Sequence, residues 1–257
     1  MLDLVLAELR RSLRIYVRYP MELVGGMISM SISFYALFMG ARYMAGPMNQ
    51  FGDRLDGVVL GYWLWTIVLF ALHTTASDLQ GEAVAGTLEQ VYLSPFGPLR
   101  VFMARAGVTL LINLTITSVM LSVMLFLTGR RLTLRPSLLP PLLTVLLCGY
   151  GFGLGLAGLA LIYKRVGQIM SMSQFGLLFL VMLPIEAFGG SVRTLGMLLP
   201  ITPGAMLLRD VMVRNGAFDW KDLMVATAGG AVYFGLGVGL FKVADRIARR
   251  KGVLGHY

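Results

Sequence analysis

Few side chains in this 257-residue chain could do chemistry, and their spacing serves it poorly. Its two histidines, His73 and His256, lie far apart, so neither has a second imidazole within reach by sequence. A metal site needs several such ligands together. His73, near the end of an apolar run, is expected to hydrogen-bond a neighbouring helix instead. The single cysteine, Cys148, excludes a disulfide framework and a multi-cysteine metal site. The motifs H-E-x-x-H and G-x-S-x-G do not occur, nor does G-x-x-x-x-G-K-[ST]. Cradling a nucleotide phosphate needs that last turn and its lysine, so any ATP chemistry must come from another chain. Gly153-Leu154-Gly155-Leu156-Ala157-Gly158 matches the dinucleotide pattern G-x-G-x-x-G. It lies inside an apolar run with no βαβ unit around it, which removes that meaning. Gly149, Gly151, Gly153, Gly155 and Gly158, with Gly235 and Gly239 later, are expected to let helices approach closely. The 17 methionines form no clustered copper pattern.

The elements that must position these residues are apolar. Hydrophobic residues make up 57% of the chain and charged ones only 14%, about half the usual share. The mean hydropathy is +0.76. A water-soluble enzyme and a disordered chain are both excluded by that balance. The net charge of +9 could point to nucleic acid, but in so apolar a chain it reflects basic flanks on membrane helices. Six runs approach or exceed the roughly 20 residues that a bilayer requires. They are Leu23–Ala41, Gly57–Ser77, Ala106–Leu127, Leu138–Tyr163, Val166–Ile185 and Leu223–Phe241. They do not alternate, so they predict helices rather than barrel strands. The first run is too long for a signal-peptide core and lacks an A-x-A exit. One all-α membrane domain over 1–257 is expected.

Thirteen of the 22 basic residues fall on the cytoplasmic side if both termini are cytoplasmic. Arg130, Arg131 and Arg135, in one outer loop, run against that rule. The N-terminal stretch repeats Leu2, Val5, Leu6, Leu9 and Leu13 at helical spacing, with Arg11, Arg14 and Arg18 on another side. It predicts an amphipathic interfacial helix with its basic face toward anionic headgroups, or simply a basic anchor. Tyr16, Tyr19, Tyr62, Trp63, Trp65, Tyr150, Tyr163 and Trp220 sit mostly near span ends, as an interfacial belt would; a subset lining a sugar path is the other possibility.

Two connecting segments stand out. Asp78–Arg100 reads DLQGEAVAGTLEQVYLSPFGPLR. Thr87 can cap a short helix, with Gln90 three residues later. Leu88, Val91 and Tyr92 would share its apolar side, Ser94-Pro95 would end it, and Gly97-Pro98 would turn the chain back. Such a helix could dock on a cytoplasmic partner or lie as an interfacial loop. Glu186–Lys221 is too broken to span, with Gly189-Gly190, Pro200 and Pro203, yet Leu195–Leu199 and Ala205–Leu208 are apolar. Two short helices dipping into the outer leaflet fit it. Glu186 would be a headgroup-level charge or a gating or pairing group.

The run Glu82-x-x-x-Gly86-Thr87-Leu88-Glu89-Gln90, followed by Ser94-Pro95, resembles the coupling-helix signature of ABC-2 type permeases. Those are membrane subunits of exporters of drugs, lipids and surface polysaccharides. Leu199-Pro200-Ile201-Thr202-Pro203, with Arg209 and Gly216 beyond, resembles that family's segment before the last span. Val84 stands where family members often carry an acidic residue. The resemblance implies six spans, with a cytoplasmic coupling helix between the second and third and re-entrant helices between the fifth and sixth. It implies that Glu82, Gly86, Thr87, Leu88, Glu89, Val91, Tyr92, Ser94 and Pro95 engage a separate cytoplasmic ABC ATPase. It also implies an outer gate at Glu186, Pro200, Pro203 and Arg209. ATP and magnesium would sit on that ATPase, with no cofactor or metal in this chain and no nucleic-acid partner. A second permease copy, forming a homodimer or a heterodimer with a similar chain, would complete the path in the cell inner membrane. The coupling run is nearer the drug-exporter branch, and Tyr163-Lys164-Arg165 lacks the Arg-Asp pair common in polysaccharide exporters. An ion-coupled secondary transporter would need an ionisable group near the midplane, and an integral-membrane enzyme an acidic or nucleophilic cluster; the spans offer neither.

Overall fold

In a computed structural model the chain is all-α. The structure describes residues 2–45, 52–84, 93, 95, 97–163, 167–185, 189–214, 216 and 219–251. Among the described residues there are nine α-helices, one 3-10 turn at Pro136–Leu138, and no strands. The helices are α1 (Leu2–Arg18), α2 (Pro20–Ala45), α3 (Gly52–Val84), α4 (Pro98–Thr128) and α5 (Leu139–Ile162). There follow α6 (Gly167–Met182), α7 (Gly190–Leu198), α8 (Thr202–Met212) and α9 (Trp220–Lys251).

Five helices are long and apolar enough to cross a membrane: α2, α3, α4, α5 and α9. These mark the chain as a multi-pass membrane protein. The remaining expected span, Val166–Ile185, contains α6, a helix of 16 residues. At 1.5 Å per residue it is about 24 Å long, short of the roughly 30 Å hydrocarbon layer. Its end has a local cause, because Pro184 disfavours helical backbone at Leu183. Helix α3 continues past the expected span end at Ser77, so Glu82 lies within it. Hydropathy marks where a helix leaves hydrocarbon, not where its backbone stops.

The centre of the bundle is α3 and α5, whose apolar windows are each 67% buried, against 11% for α2 and 22% for α9. Buried Leu60, Leu64, Val68 and Leu72 of α3 meet the core with Val145, Ala157 and Leu161 of α5. Helices α5 and α9 form the most extensive pair. Their seam is made of backbone: a Cβ built on Gly151 would stand 2.5 Å from the Tyr233 carbonyl oxygen and 2.8 Å from the Phe234 Cα. From the other side Gly237 faces Gly151. The expectation for the α5 glycines holds at Gly149, Gly151, Gly153 and Gly158, each with backbone of a neighbouring helix within 4 Å of an added Cβ, while Gly155 meets only the Leu240 side chain. Gly235 and Gly239 have nothing within 4 Å, so the α9 contribution belongs instead to Gly237 and, two turns earlier, to Gly230, whose added Cβ would stand 3.1 Å from the Thr144 carbonyl oxygen. Helical register explains this: Gly237 lies on the face turned to α5, and its neighbours two positions away do not.

Water is scarce in hydrocarbon, so aromatic donors that leave it must find protein acceptors. On α3 they point three ways. The Tyr62 hydroxyl donates to the Met30 carbonyl (3.0 Å), the Trp63 indole to Thr117 (3.1 Å) and the Trp65 indole to Gln174 (3.1 Å). One helix is thereby tied to α2, α4 and α6. Tyr62 and Trp63 are buried, which corrects their assignment to an interfacial belt; Tyr19, Tyr163 and Trp220 are exposed. His73 Nε2 lies 3.3 Å from Gln174 Oε1, the helix-to-helix role expected of it.

Candidate functional site

Two regions at opposite ends of the bundle hold the polar structure. At one end α1 docks on the first turns of α4. Arg105 of α4 donates from Nε and Nη2 to the two carboxylate oxygens of Glu8, both at 3.3 Å. Glu8 and Arg105 are each only 7% exposed, and Arg11 approaches Glu8 at 3.7 Å. A forked guanidinium on a carboxylate fixes orientation as well as distance. Neither Glu8 nor Arg105 was singled out from sequence as a pair. A signal was present, since Glu8 is the acid that stands between the apolar residues Leu6 and Leu9 of a basic amphipathic helix.

Between α3 and α4 in the chain comes the run that resembles a coupling-helix signature. Glu82 belongs to α3, and Pro95 is an exposed turn residue. Gly86, Thr87, Leu88, Glu89, Val91, Tyr92 and Ser94 lie outside the described residues. Gly97 has a φ of 73°, ordinary for glycine, and Pro98 opens α4.

At the other end α6 stops and α7 and α8 follow. The turn between these two short helices falls at Leu199–Ile201, with Pro200 buried inside it and Pro203 buried in the first turn of α8. Ile201 has a φ of 69°, unfavourable for a β-branched residue, and it is 1% exposed. Burial on all sides is what holds it there. Helix α8 is buried along nearly its whole length and packs on α5, α9, α3 and α6. The break at Pro184 frees carbonyls at the end of α6. Arg209 of α8 donates there: Nη1 to the Leu183 carbonyl at 3.1 Å, and Nη2 to the Val181 carbonyl. A cation on the C-terminal carbonyls of a helix also complements its dipole. The Thr202 hydroxyl reaches Leu180 of the same helix at 3.5 Å. Pro200 thus lies in the turn that enters α8, with Pro203 and Arg209 on α8 itself, while Glu186 lies outside the described residues. Exposed ion pairs frame the region, Arg193–Asp222 at 3.1 Å and Arg214–Asp210 at 2.7 Å. Nearby, Arg130 meets Asp56 at 3.5 Å.

Two apolar hollows lie along α5. One, of about 210 Å³, is bounded by Met103, Leu110, Leu147 and Phe234. The other, of about 650 Å³, opens between α5, α6 and α9 beside Gly155, Leu159, Ser173 and Leu240. Among the described residues no cluster of His, Cys, Asp and Glu could hold a metal ion. No family model matches the chain, and no curated protein matches it.

Proposed function

We propose that the chain is the membrane-spanning subunit of an ATP-driven ABC exporter of the ABC-2 type, moving an amphipathic drug or lipid out of the cytoplasm. The observation that carries this reading is the run Glu82 to Pro95, which begins in the last turn of the spanning helix α3 and precedes the spanning helix α4 in the chain. A partner that pushes there acts on α3, which is tied to three other helices, and on α4, which is tied to α1. In this reading α6 with Leu183–Ile185 makes the sixth crossing, and both termini are cytoplasmic. The α7–α8 pair is the outer gate, with Arg209 holding the end of α6. The apolar hollows favour an amphipathic cargo over a polysaccharide, whose hydroxyls need polar partners. A second permease copy closes the path on the exposed faces of α2, α4 and α9.

The test is a double variant, Leu88→Asp with Val91→Asp, in the chain co-expressed with its ATPase. An exposed pair made by Glu89 would contribute only about 0–1 kcal/mol, so the apolar face is the better target. The variant is expected to insert and to assemble with a second copy, but substrate no longer stimulates ATP hydrolysis. Undiminished stimulated hydrolysis and transport would refute the coupling role, and a wild-type chain that transports with no ATPase would refute the class.

A further inference from the structure

Helix α1 presents three faces rather than two. Glu8, Leu9, Ser12 and Tyr16 turn toward the protein. Leu6, Leu13 and Val17 form an outward apolar stripe, 42%, 48% and 80% exposed. Arg10, Arg14 and Arg18, at successive positions four apart, form an exposed basic stripe beside it, with Arg11 adjoining. These arginines, with Ala7, Ile15 and Tyr19, line a shallow basin of about 530 Å³. The Arg18 guanidinium lies over the Tyr19 ring at 5.8 Å.

An isolated amphipathic helix can roll about its axis. This one is held, because the forked Glu8–Arg105 contact and the packing on α4 fix which face looks outward. That contact also engages the Glu8 carboxylate, and α1 carries four arginines against only Asp3 and Glu8, so the basic stripe keeps surplus positive charge; the next acid along the chain is the exposed Glu22 of α2. An apolar stripe and a cationic stripe side by side match one surface in particular, the boundary between acyl chains and phosphate headgroups. An acidic protein would engage the arginines but would give Leu6, Leu13 and Val17 no apolar layer to enter.

We propose that α1 is a docking surface for anionic phospholipid, with Arg10, Arg14 and Arg18 on headgroup phosphates and Leu6, Leu13 and Val17 at the acyl boundary. Because Arg105 belongs to a spanning helix, lipid bound there also braces the base of α4. The inference needs a membrane protein but not the exporter reading, and its test uses neither nucleotide nor cargo.

The full chain in neutral detergent is titrated with phosphatidylglycerol or with phosphatidylcholine of the same acyl chains, and retained lipid is read by native mass spectrometry. The wild type is expected to retain phosphatidylglycerol at lower concentration than phosphatidylcholine. Each arginine near an anionic surface is worth roughly fivefold, so Arg10→Gln/Arg14→Gln/Arg18→Gln should weaken phosphatidylglycerol retention on the order of 100-fold. The matching triple lysine variant should keep most of it, and phosphatidylcholine retention should not move. Equal retention of the two lipids by the wild type overturns the proposal without any variant, and so does undiminished phosphatidylglycerol retention by the glutamine variant.

Discussion

The α5–α9 seam gives the sharpest stability prediction, because the neighbours of its glycines are backbone and cannot step aside. An alanine Cβ at Gly151 would need about 3.4 Å of clearance but finds the Tyr233 carbonyl oxygen at 2.5 Å. The helices must therefore part by about 0.9 Å there. A radial gap of 0.5–1 Å forfeits roughly a quarter to a half of each dispersion contact along the opened face. Overpacking of this kind costs about 1–3 kcal/mol. For a chain of this size that is a fall of about 2–12 °C in melting temperature, at roughly 2–4 °C per kcal/mol. Gly235→Ala and Gly239→Ala are the controls, since nothing lies within 4 Å of either. Alanine is the better helix former by up to about 1 kcal/mol, so these two should be neutral or slightly stabilising. The assay is thermal unfolding of the purified protein in one detergent, followed by tryptophan fluorescence. If Gly151→Ala melts with Gly235→Ala and Gly239→Ala, the seam is not backbone-to-backbone and the reasoning fails.

Two further outcomes follow from the ends of the bundle. Removing one partner of the buried Glu8–Arg105 pair, as Glu8→Gln, should destabilise by about 3 kcal/mol, and Glu8→Gln with Arg105→Met should recover part of the loss; equal melting temperatures for the single and double variants would contradict this. Cysteines placed at Arg193 and Arg214, which are half exposed, should react with a membrane-impermeant maleimide added outside cells, while one at the buried Leu207 should not. Cys148 is the chain's single cysteine and is buried, so the background is low, and labelling of both sites only from the cytoplasm would reverse the proposed orientation.

Hydropathy alone placed the long helices well, because in hydrocarbon an unpaired backbone group is so costly that an apolar run of sufficient length has one solution. Leu23–Ala41 falls inside α2 and Ala106–Leu127 inside α4. The broken stretch after α6 was legible for a related reason: Gly189-Gly190 and Pro200 punctuate it, and α7 and α8 lie between and after those residues. What composition could not give was direction around each helix. The glycines at 235, 237 and 239 look alike in sequence, and only register against α5 separates Gly237 from the others. The same blindness put Tyr62 and Trp63 at the membrane surface, since an aromatic near a span end reads as a belt residue until its donor is seen to have a partner inside.

The polar pairs were hidden for another reason. Glu8 and Arg105 are 97 residues apart, and nothing local in either segment names the other. Yet each was locally anomalous: an acid on the face of α1 turned toward the bundle, and an arginine near the entry to an apolar run. Arg209 is the same kind of anomaly, a cation two residues beyond buried Leu207 in a short apolar helix. Its partners are the Val181 carbonyl, left without a helical donor where Pro184 breaks α6, and the Leu183 carbonyl, which also accepts from the Ile185 N–H at 3.0 Å. Pro184 and Arg209 are thus one device written in two places, a break that exposes an acceptor and a guanidinium that satisfies it. Arg209→Leu should therefore loosen the end of α6 while leaving α3, α5 and the glycine seam intact. Hydrogen exchange makes the distinction: amides near Phe179 and Leu183 should exchange faster in that variant, and those of α5 should not change. Uniform acceleration across both helices would mean that Arg209 supports the whole bundle rather than one helix end.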